Sequence, residues 1–164
     1  MTYIAGIDGK DKACVFCSKH KEINYRENLI LYRGVKCLVV MNLFPYNNGH
    51  LMVVPCAHTA DTDALDKRTS AELWELVCLS RRALLKTFHP DGFNIGMNLG
   101  RPAGAGIDTH LHIHIVPRWN GDTNFMPVLG DTQVVSQALL DTYDALLPAF
   151  RSTAGTSSPG APSR

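Results

Sequence analysis

The stretch Asp108-Thr-His-Leu-His-Ile-His-Ile-Val-Pro-Arg-Trp119 decides the fold, because it holds three of the seven histidines at alternating positions. Successive side chains of a strand point to opposite faces, so His110, His112 and His114 would share one face. The apolar residues between them would share the other face and enter a core. A helix turns about 100° per residue, which would place His112 nearly opposite the other two. The spacing therefore predicts a strand with a row of imidazoles on one face.

This row of imidazoles has three interpretations. It can be an exposed strand face, a metal site in which alternate residues chelate an ion, or a site for nucleophilic and acid–base chemistry. A neutral histidine has one nitrogen free to attack while a hydrogen bond holds the other. We favour the catalytic interpretation, because strand propensity gives no reason for three histidines.

Length and composition predict one globular domain. The 164 residues are 45% hydrophobic, enough to bury roughly two-thirds of the unfolded surface.

Lys plus Arg is 16 against 15 for Asp plus Glu, so no overall field attracts nucleic acid or an anionic membrane. No apolar run approaches the roughly 18 residues of a membrane span and no signal-like start is present, so we expect a cytoplasmic protein. Five cysteines, an odd number, argue against a disulfide framework.

Local patterns predict five strands and two helices. The expected strands cover residues 29–33, 37–42, 50–55 and 93–98 and the histidine stretch. The expected helices cover 66–88, with Thr69 or Ser70 as N-cap, and 134–150. Residues 1–12 are expected to form a loosely ordered arm. Residues 151–164 are small residues and Pro, typical of a disordered tail, which leaves 13–150 as the domain.

Two further segments contain groups that are suited to binding a metal ion or an anion. Cys14-Val-Phe-Cys17 is half of a motif and fits a zinc knuckle, a redox pair or chance; a zinc ion needs two more ligands from elsewhere in the fold. The glycine-rich loop over residues 99–106, which includes Gly104 and Gly106, precedes the histidine strand. Its backbone N–H groups would be able to approach an anion closely, although a plain hairpin connection is equally consistent.

The alternating histidines, the small-residue loop before them and the upstream Gly49-His-Leu-Met-Val-Val-Pro55 together resemble the histidine triad (HIT) superfamily of nucleotide hydrolases and transferases. The similarity runs from about Cys14 to Phe150. Residues 93–100 and 117–125 look especially like the diadenosine tetraphosphate phosphorylase type. The resemblance implies an α+β, HIT-like fold with a five-stranded, mainly antiparallel sheet and two helices. It also implies a homodimer in which ten strands run across the pair.

The resemblance implies a mechanism as well. His112, the middle histidine, would attack the α-phosphorus of a dinucleoside polyphosphate or a related adenylyl compound, and water or phosphate would then free it. His110 and His114 would balance charge on the phosphoryl oxygens. The implied partners are an adenine nucleotide as substrate and phosphate as co-substrate, with no organic cofactor.

Residue-by-residue matching to the family implies the substrate contacts. Asn42 matches a ribose-binding position, while His50 and Asn98 match positions beside the phosphates. Leu38, Phe44 and Tyr46 are candidates for the base pocket, although packing roles explain them equally well. The residues assigned to substrate binding are Leu38, Asn42, Phe44, His50, Asn98, Gly104 and Gly106, with Tyr46 as a further candidate.

Zinc-bearing members of the family suggest the two missing metal ligands. There, two cysteines join the histidine that follows the third strand and the first histidine of the triad. The matching set here is Cys14, Cys17, His58 and His110, a closed structural site rather than one that activates water. Cys37, Cys56 and Cys78 are expected to be buried small apolar residues.

One departure from the family pattern favours phosphorolysis. Many hydrolases of the family carry a hydrogen-bonding side chain three to four residues before the first triad histidine, where this chain has Gly106 and Ile107. Alternatives are a hydrolase of nucleoside phosphoramidates or dinucleoside polyphosphates, and a purine-nucleotide-binding regulatory protein with little turnover. A catalytic metal held by the three histidines is a further alternative.

Overall fold

The protein, seen in a computed structural model, is described for residues 14–122 and 139–154. A five-stranded sheet has the order β1-β2-β3-β5-β4, and each neighbouring pair is antiparallel. The strands are β1 (Ile30–Arg33), β2 (Cys37–Met41), β3 (Leu51–Pro55), β4 (Gly92–Gly96) and β5 (Ile113–Arg118). The helices are α1 (Val15–Lys19), α2 (Lys67–Phe88) and α3 (Leu139–Ala154). The predicted α+β architecture with a five-stranded antiparallel sheet is confirmed.

Strand alternation divides the core into two clusters on opposite faces of the sheet. The larger cluster packs β2, β3 and β5 against α2 and α3, and Ile113 and Ile115 belong to it as the histidine spacing predicts. The smaller cluster lies on the other face, under the short helix α1. Its buried members are Phe16, Ile30, Leu38, Val40, Met52 and Val54. His112 and His114 alternate with Ile113 and Ile115, so they lie on the face that the two long helices leave uncovered.

The long helix α2 starts at a different cap from the predicted one. The carboxylate of Asp66 accepts a hydrogen bond from the Thr69 backbone N–H at 2.8 Å, which makes Asp66 the N-cap. The assignment of Thr69 or Ser70 was therefore wrong, because Asp66 already satisfies an otherwise unpaired N–H of the first turn. The helix ends at Phe88, and His89 takes the left-handed conformation (φ 50°) before Pro90.

The histidine strand is shorter than predicted. It begins at Ile113, so His110 and His112 precede the strand and only His114 lies within it. The Leu111 N–H donates to the Thr59 carbonyl at 2.8 Å, which ties this segment to the loop after β3 instead of a regular ladder. The prediction that all three histidines lie on one regular strand is thus corrected.

The helix inventory also differs from the prediction. Helix α1 was not expected, since the five-residue segment is too short to show a period. Helix α3 continues to Ala154, so the predicted disordered tail is wrong for residues 151–154. The predicted arm over 1–12, the first residues of the second helix over 134–138, and residues 155–164 lie outside the described residues. Within 14–122 and 139–154, no helix combines the length and the apolar character that crossing a membrane requires.

Candidate active site and adjoining metal-ligand cluster

His112 is held as a neutral imidazole with one nitrogen available. Its side chain is only 6% exposed, and its Nδ1 lies 2.9 Å from the backbone carbonyl oxygen of His110. A carbonyl only accepts hydrogen bonds, so Nδ1 carries the proton and Nε2 keeps its lone pair. Burial lowers the pKa of His112, while the hydrogen bond to His110 opposes that shift. The neutral form with an unprotonated Nε2 is the form that a nucleophile requires.

A chain of hydrogen bonds fixes the tautomer of His114. The Tyr46 backbone N–H donates to His50 Nδ1 at 3.1 Å, so His50 carries its proton on Nε2. His50 Nε2 lies 3.0 Å from His114 Nδ1 and donates to it. His114 Nδ1 is then an acceptor, and its remaining proton is on Nε2. The third histidine of the triad therefore offers an N–H donor beside His112, whose ring centroid is 4.7 Å away.

His50 and His114, the two histidines joined by these hydrogen bonds, are both neutral over the physiological pH range. Burial lowers the pKa of His50 to about 3, with the neighbouring His114 and His112 adding to the shift. Burial also lowers the pKa of His114 to about 4, again with a contribution from His112. His50 is 1% exposed, and both of its ring nitrogens bond within the protein. The structure places His50 behind His114, and the expectation that His50 itself contacts phosphate stays a prediction.

Two cysteines and two histidines converge beside the triad. Their ligand atoms all lie within 4.8 Å of one another, although the first and last members are 96 residues apart in the chain. Cys14 precedes α1, Cys17 lies in α1, His58 follows β3, and His110 precedes β5. The structure thus brings together all four residues that the sequence resemblance proposed as metal ligands.

The geometry of this cluster fits a tetrahedral metal. Cys14 Sγ and Cys17 Sγ lie 3.2 Å from the Nδ1 atoms of His110 and His58, respectively, and the two Nδ1 atoms are 3.2 Å apart. Zinc–sulfur bonds of about 2.3 Å and zinc–nitrogen bonds of about 2.0–2.1 Å imply ligand separations of roughly 3.3–3.8 Å in a tetrahedron. His110 Nε2 also donates to the Pro55 carbonyl at 2.9 Å, which leaves Nδ1 with a lone pair for the ion.

The glycine-rich loop lies between β4 and β5 and has its own internal bonds. Asn98 Nδ2 donates to the Gly104 carbonyl at 3.4 Å, and Gly104 takes a left-handed conformation (φ 88°) that favours glycine. Gly106 is exposed, and a Cβ placed on it would meet no atom within 4 Å. Ile107 packs against the smaller core cluster and presents no polar group. The structure brings Asn98 and Gly104 together.

The candidate base-pocket residues differ in exposure. Leu38 is 1% exposed and belongs to the smaller core cluster, whereas Phe44 and Tyr46 are 53% and 69% exposed. Asn42 is half-buried, and its side-chain Nδ2 lies 3.2 Å from His50 Nδ1. The loop after β2 therefore carries Asn42, Phe44 and Tyr46 to the edge of the histidine pair, while Leu38 packs beneath it.

Comparison with known proteins settles the family. A HIT domain matches residues 25–121, more than half of the chain. This protein belongs to the HIT family. Among curated relatives, AP-4-A phosphorylase of Mycobacterium tuberculosis is 42% identical to this HIT chain over 121 residues, which are 74% of this chain and 62% of that protein. Adenylylsulfatase HINT3 of Arabidopsis thaliana is 33% identical over 111 residues, 66% of this chain and 54% of that protein. The chain thus spans about three-fifths or less of these two relatives.

Solved structures support the fold of this HIT protein. A Zn-bound histidine triad family protein from Mycobacterium smegmatis matches with a TM-score of 0.68 at 24% identity, over 88% of this chain and 98% of that one. A hypothetical histidine triad nucleotide-binding protein from Sulfolobus tokodaii matches with a TM-score of 0.64 at 27% identity, over 85% of this chain and 91% of that one. The family resemblance that the sequence motifs indicated is confirmed.

Two residues of the site in this HIT chain were missed by sequence reasoning. Phe16 is 2% exposed, and its ring centroid lies 5.4 Å from His110 and 5.1 Å from His112, so it packs against both the metal-ligand cluster and the candidate nucleophile. The Asp122 carboxylate accepts hydrogen bonds from Asn47 and Arg118, at 2.8 and 2.6 Å, and joins the loop before β3 to the end of β5. The sequence did offer a signal for Phe16, which is an aromatic residue between the two cysteines of Cys-x-x-Cys. No local sequence pattern indicated the role of Asp122.

Proposed function

We propose that this HIT protein is a nucleotidyl transferase that cleaves dinucleoside polyphosphates at the α-phosphorus, with His112 as the covalent nucleophile. The observation that carries the proposal is the 2.9 Å hydrogen bond from His112 Nδ1 to the His110 carbonyl, which leaves Nε2 unprotonated. Similarity to an AP-4-A phosphorylase supports diadenosine tetraphosphate as the substrate class.

The reaction has two displacement steps. In the first, the Nε2 lone pair of His112 forms a bond to the α-phosphorus, and the bond from that phosphorus to the bridging oxygen breaks. Diadenosine tetraphosphate then releases ATP and leaves an adenylyl group on His112. In the second, an oxygen of inorganic phosphate attacks the same phosphorus and the phosphorus–nitrogen bond breaks, which yields ADP and restores neutral His112. The attacking phosphate oxygen supplies its own electron pair, so the step needs no oxidant.

Neighbouring groups stabilise the charge that develops on the phosphoryl oxygens. The Nε2–H of His114 is a donor beside His112, and His50 holds it in that tautomer. Asn98 and the backbone N–H groups of the loop that contains Gly104 and Gly106 are proposed as further phosphate contacts. Asn42 is proposed to bind the ribose, and Leu38 and Phe44 to contact the transferred base.

Phosphate rather than water is the proposed second attacker. Gly106 has no side chain and Ile107 packs into the core, so neither position offers a group that would assist a leaving group or orient water. Hydrolysis of nucleoside phosphoramidates or dinucleoside polyphosphates is the alternative activity of the same site.

Zinc is the proposed structural ion of the neighbouring cluster. Cys14, Cys17, His58 and His110 would hold it, and all four positions would then be occupied by protein ligands, so the ion would supply rigidity rather than an activated water. It would affect the reaction through the position of the His110 backbone.

A homodimer in the cytoplasm is the proposed working state. Strand β4 forms one edge of the sheet, and Asn94 and Ile95 on it are exposed. An exposed edge strand carries unpaired backbone groups, which favours pairing with a second copy into ten strands.

The deciding experiment is incubation of the full chain with diadenosine tetraphosphate, with and without inorganic phosphate. We expect ADP and ATP only when phosphate is present, whereas AMP and ATP would indicate the hydrolase. His112→Ala should reduce turnover by at least about 10³-fold, since the nucleophile is lost. His89→Asn is the matched control, because His89 is exposed at the end of α2 and its left-handed conformation suits Asn. Full activity in His112→Ala would overturn the mechanism.

A further inference from the structure

We propose that a groove on the open face of β4 and β5 binds the base of the leaving nucleotide, with Tyr46 as its stacking platform; this rests on the proposed function. The groove has a volume of about 320 Å³, at the lower end of the range of about 300–1,000 Å³ of small-molecule sites. Its walls include Tyr46, Asn94, Gly96, His114, Val116 and Arg118.

The sheet register places this groove beside the phosphate position and away from the smaller core cluster. Gly96 lies opposite His114 and Asn94 opposite Val116, so all four residues share the open face of the sheet. Strand β5 lies between β4 and β3, and the cluster that contains Leu38 lies on the β3 side. A substrate centred on His112 can therefore extend towards β3 or towards β4. The proposed contacts of the transferred nucleotide lie towards β3, so the groove on the β4 side remains for the leaving nucleotide.

Tyr46 is both exposed and fixed in position. Its ring centroid lies 4.8 Å from that of His50 and 5.9 Å from that of His114, and its backbone N–H donates to His50 Nδ1. The side chain nevertheless remains 69% exposed. An aromatic ring held at the mouth of a groove with a free surface is a suitable partner for a nucleobase, which stacks on aromatic side chains regardless of its identity.

The charges in the groove favour a base over a phosphate chain. Asp122 accepts hydrogen bonds from Nε and Nη2 of Arg118, at 2.9 and 2.6 Å, so the guanidinium charge is balanced within the protein. Val116 and Met97 are apolar, while Asn94, whose Oδ1 accepts a hydrogen bond from Arg118 Nη1 at 3.3 Å, has an exposed side-chain amide of the kind that pairs with base edges. The groove thus matches an uncharged, planar, polar-edged ring.

The test compares two substrates with the same adenylyl group and different leaving groups. Diadenosine tetraphosphate releases a nucleotide, whereas adenosine 5′-phosphoramidate releases ammonia and has no second base. For Tyr46→Ala we expect the KM for diadenosine tetraphosphate to rise about tenfold, as loss of one base–aromatic stack implies. The kcat/KM for the phosphoramidate should change by less than about twofold. Tyr46→Phe should behave as wild type, because the ring is retained.

Trp74→Ala is the matched control, since Trp74 is an exposed aromatic residue on α2, outside the residues that line the groove. It should leave both substrates unaffected. An equal loss of kcat/KM on both substrates in Tyr46→Ala would assign Tyr46 to support of His50. No loss on either substrate would show that the groove is unused. Either result overturns this inference and leaves the proposed function standing. Failure of the wild type to turn over either substrate would instead overturn the proposed function and the inference with it.

Discussion

The Nδ1 atom of His112 lies 2.9 Å from the backbone carbonyl oxygen of His110, and the ring Nδ1 of the same His110 lies 3.2 Å from Cys14 Sγ. One residue therefore serves two sites at once: its backbone orients the proposed nucleophile and its ring completes the metal-ligand cluster. A second bond, from His110 Nε2 to the Pro55 carbonyl, ties the ring to the end of β3. Displacement of the His110 ring is expected to displace the carbonyl that holds His112.

Removal of one cysteine ligand tests this connection. Cys14→Ser should lower the zinc content towards zero from the one ion per chain that we propose, because a hydroxyl is a poor substitute for a thiolate ligand. It should lower Tm, since a structural metal contributes directly to folding stability. We expect kcat on diadenosine tetraphosphate to fall by about 10- to 100-fold, the usual effect of disturbing the support of a metal site. Elemental analysis, thermal unfolding and steady-state kinetics measure the three effects.

Cys56→Ser is the control for that substitution. Of the three cysteines predicted to be buried, Cys37 is buried, whereas Cys78 is half-buried and Cys56 is exposed. Cys56 lies two residues before His58 and does not belong to the metal-ligand cluster. Its zinc content, Tm and kcat should match the wild type. A Cys14→Ser protein that has lost its zinc and keeps the wild-type kcat would contradict the proposed link from the cluster to His112.

The sequence predicts the sheet well because side chains alternate between the two faces of a strand, and this period of two is visible within a short segment of sequence. The alternation of His112 and His114 with Ile113 and Ile115 correctly separates the site face from the core face. The misses depend on contacts between distant segments. The cap Asp66 and the short helix α1 have no periodic signal, and the partner of His114 is His50, 64 residues away.

The metal-ligand cluster likewise depends on contacts between distant segments, which local sequence patterns do not reveal. The Cys14-x-x-Cys17 spacing indicates half of a site, but local patterns do not connect it to His58 and His110, which only the fold brings within reach. Family resemblance named those partners. The tautomer of each histidine likewise depends on which atom of a remote segment faces each nitrogen, so it became accessible only with the structure.

The role of His50 as a positioning residue is testable by comparing two substitutions. In His50→Leu the donor to His114 Nδ1 is lost, so His114 is free to place its proton on Nδ1 and to withdraw its Nε2 donor. We expect kcat to fall by about 100-fold or more, as for loss of one donor to a developing oxyanion. In His50→Gln the side-chain amide N–H is able to replace the donor, and kcat should stay within about tenfold of wild type.

The histidine ¹⁵N chemical shifts of His114 report its tautomer directly and separate positioning from a general structural effect. They should indicate an Nε2–H form in wild type and His50→Gln, and a mixture in His50→Leu. Equal losses of kcat in both variants, with the His114 tautomer unchanged, would sink the positioning role.

The stability of the fold should fall as the pH drops below about 6.5. Burial lowers the pKa of His50 to about 3 and that of His114 to about 4, whereas both are expected near 6.5 in the unfolded chain. Above pH 6.5 both states are neutral and pH has little effect. Below it, the unfolded chain binds protons that the folded protein excludes, so each histidine lowers the free energy of unfolding by up to about 1.4 kcal/mol per pH unit until its folded pKa is reached.

Urea unfolding at pH 7.5 and 5.5 with excess zinc measures this loss, and elemental analysis confirms that the metal content is equal at both values. His50→Gln isolates one histidine, because the other buried histidines titrate alike in both proteins. Its loss of stability between the two pH values should be smaller than that of the wild type by about 1 kcal/mol. An identical loss in the two proteins would mean that His50 is protonated in the fold, and His114 would then lose the neutral donor chain that the proposed chemistry requires.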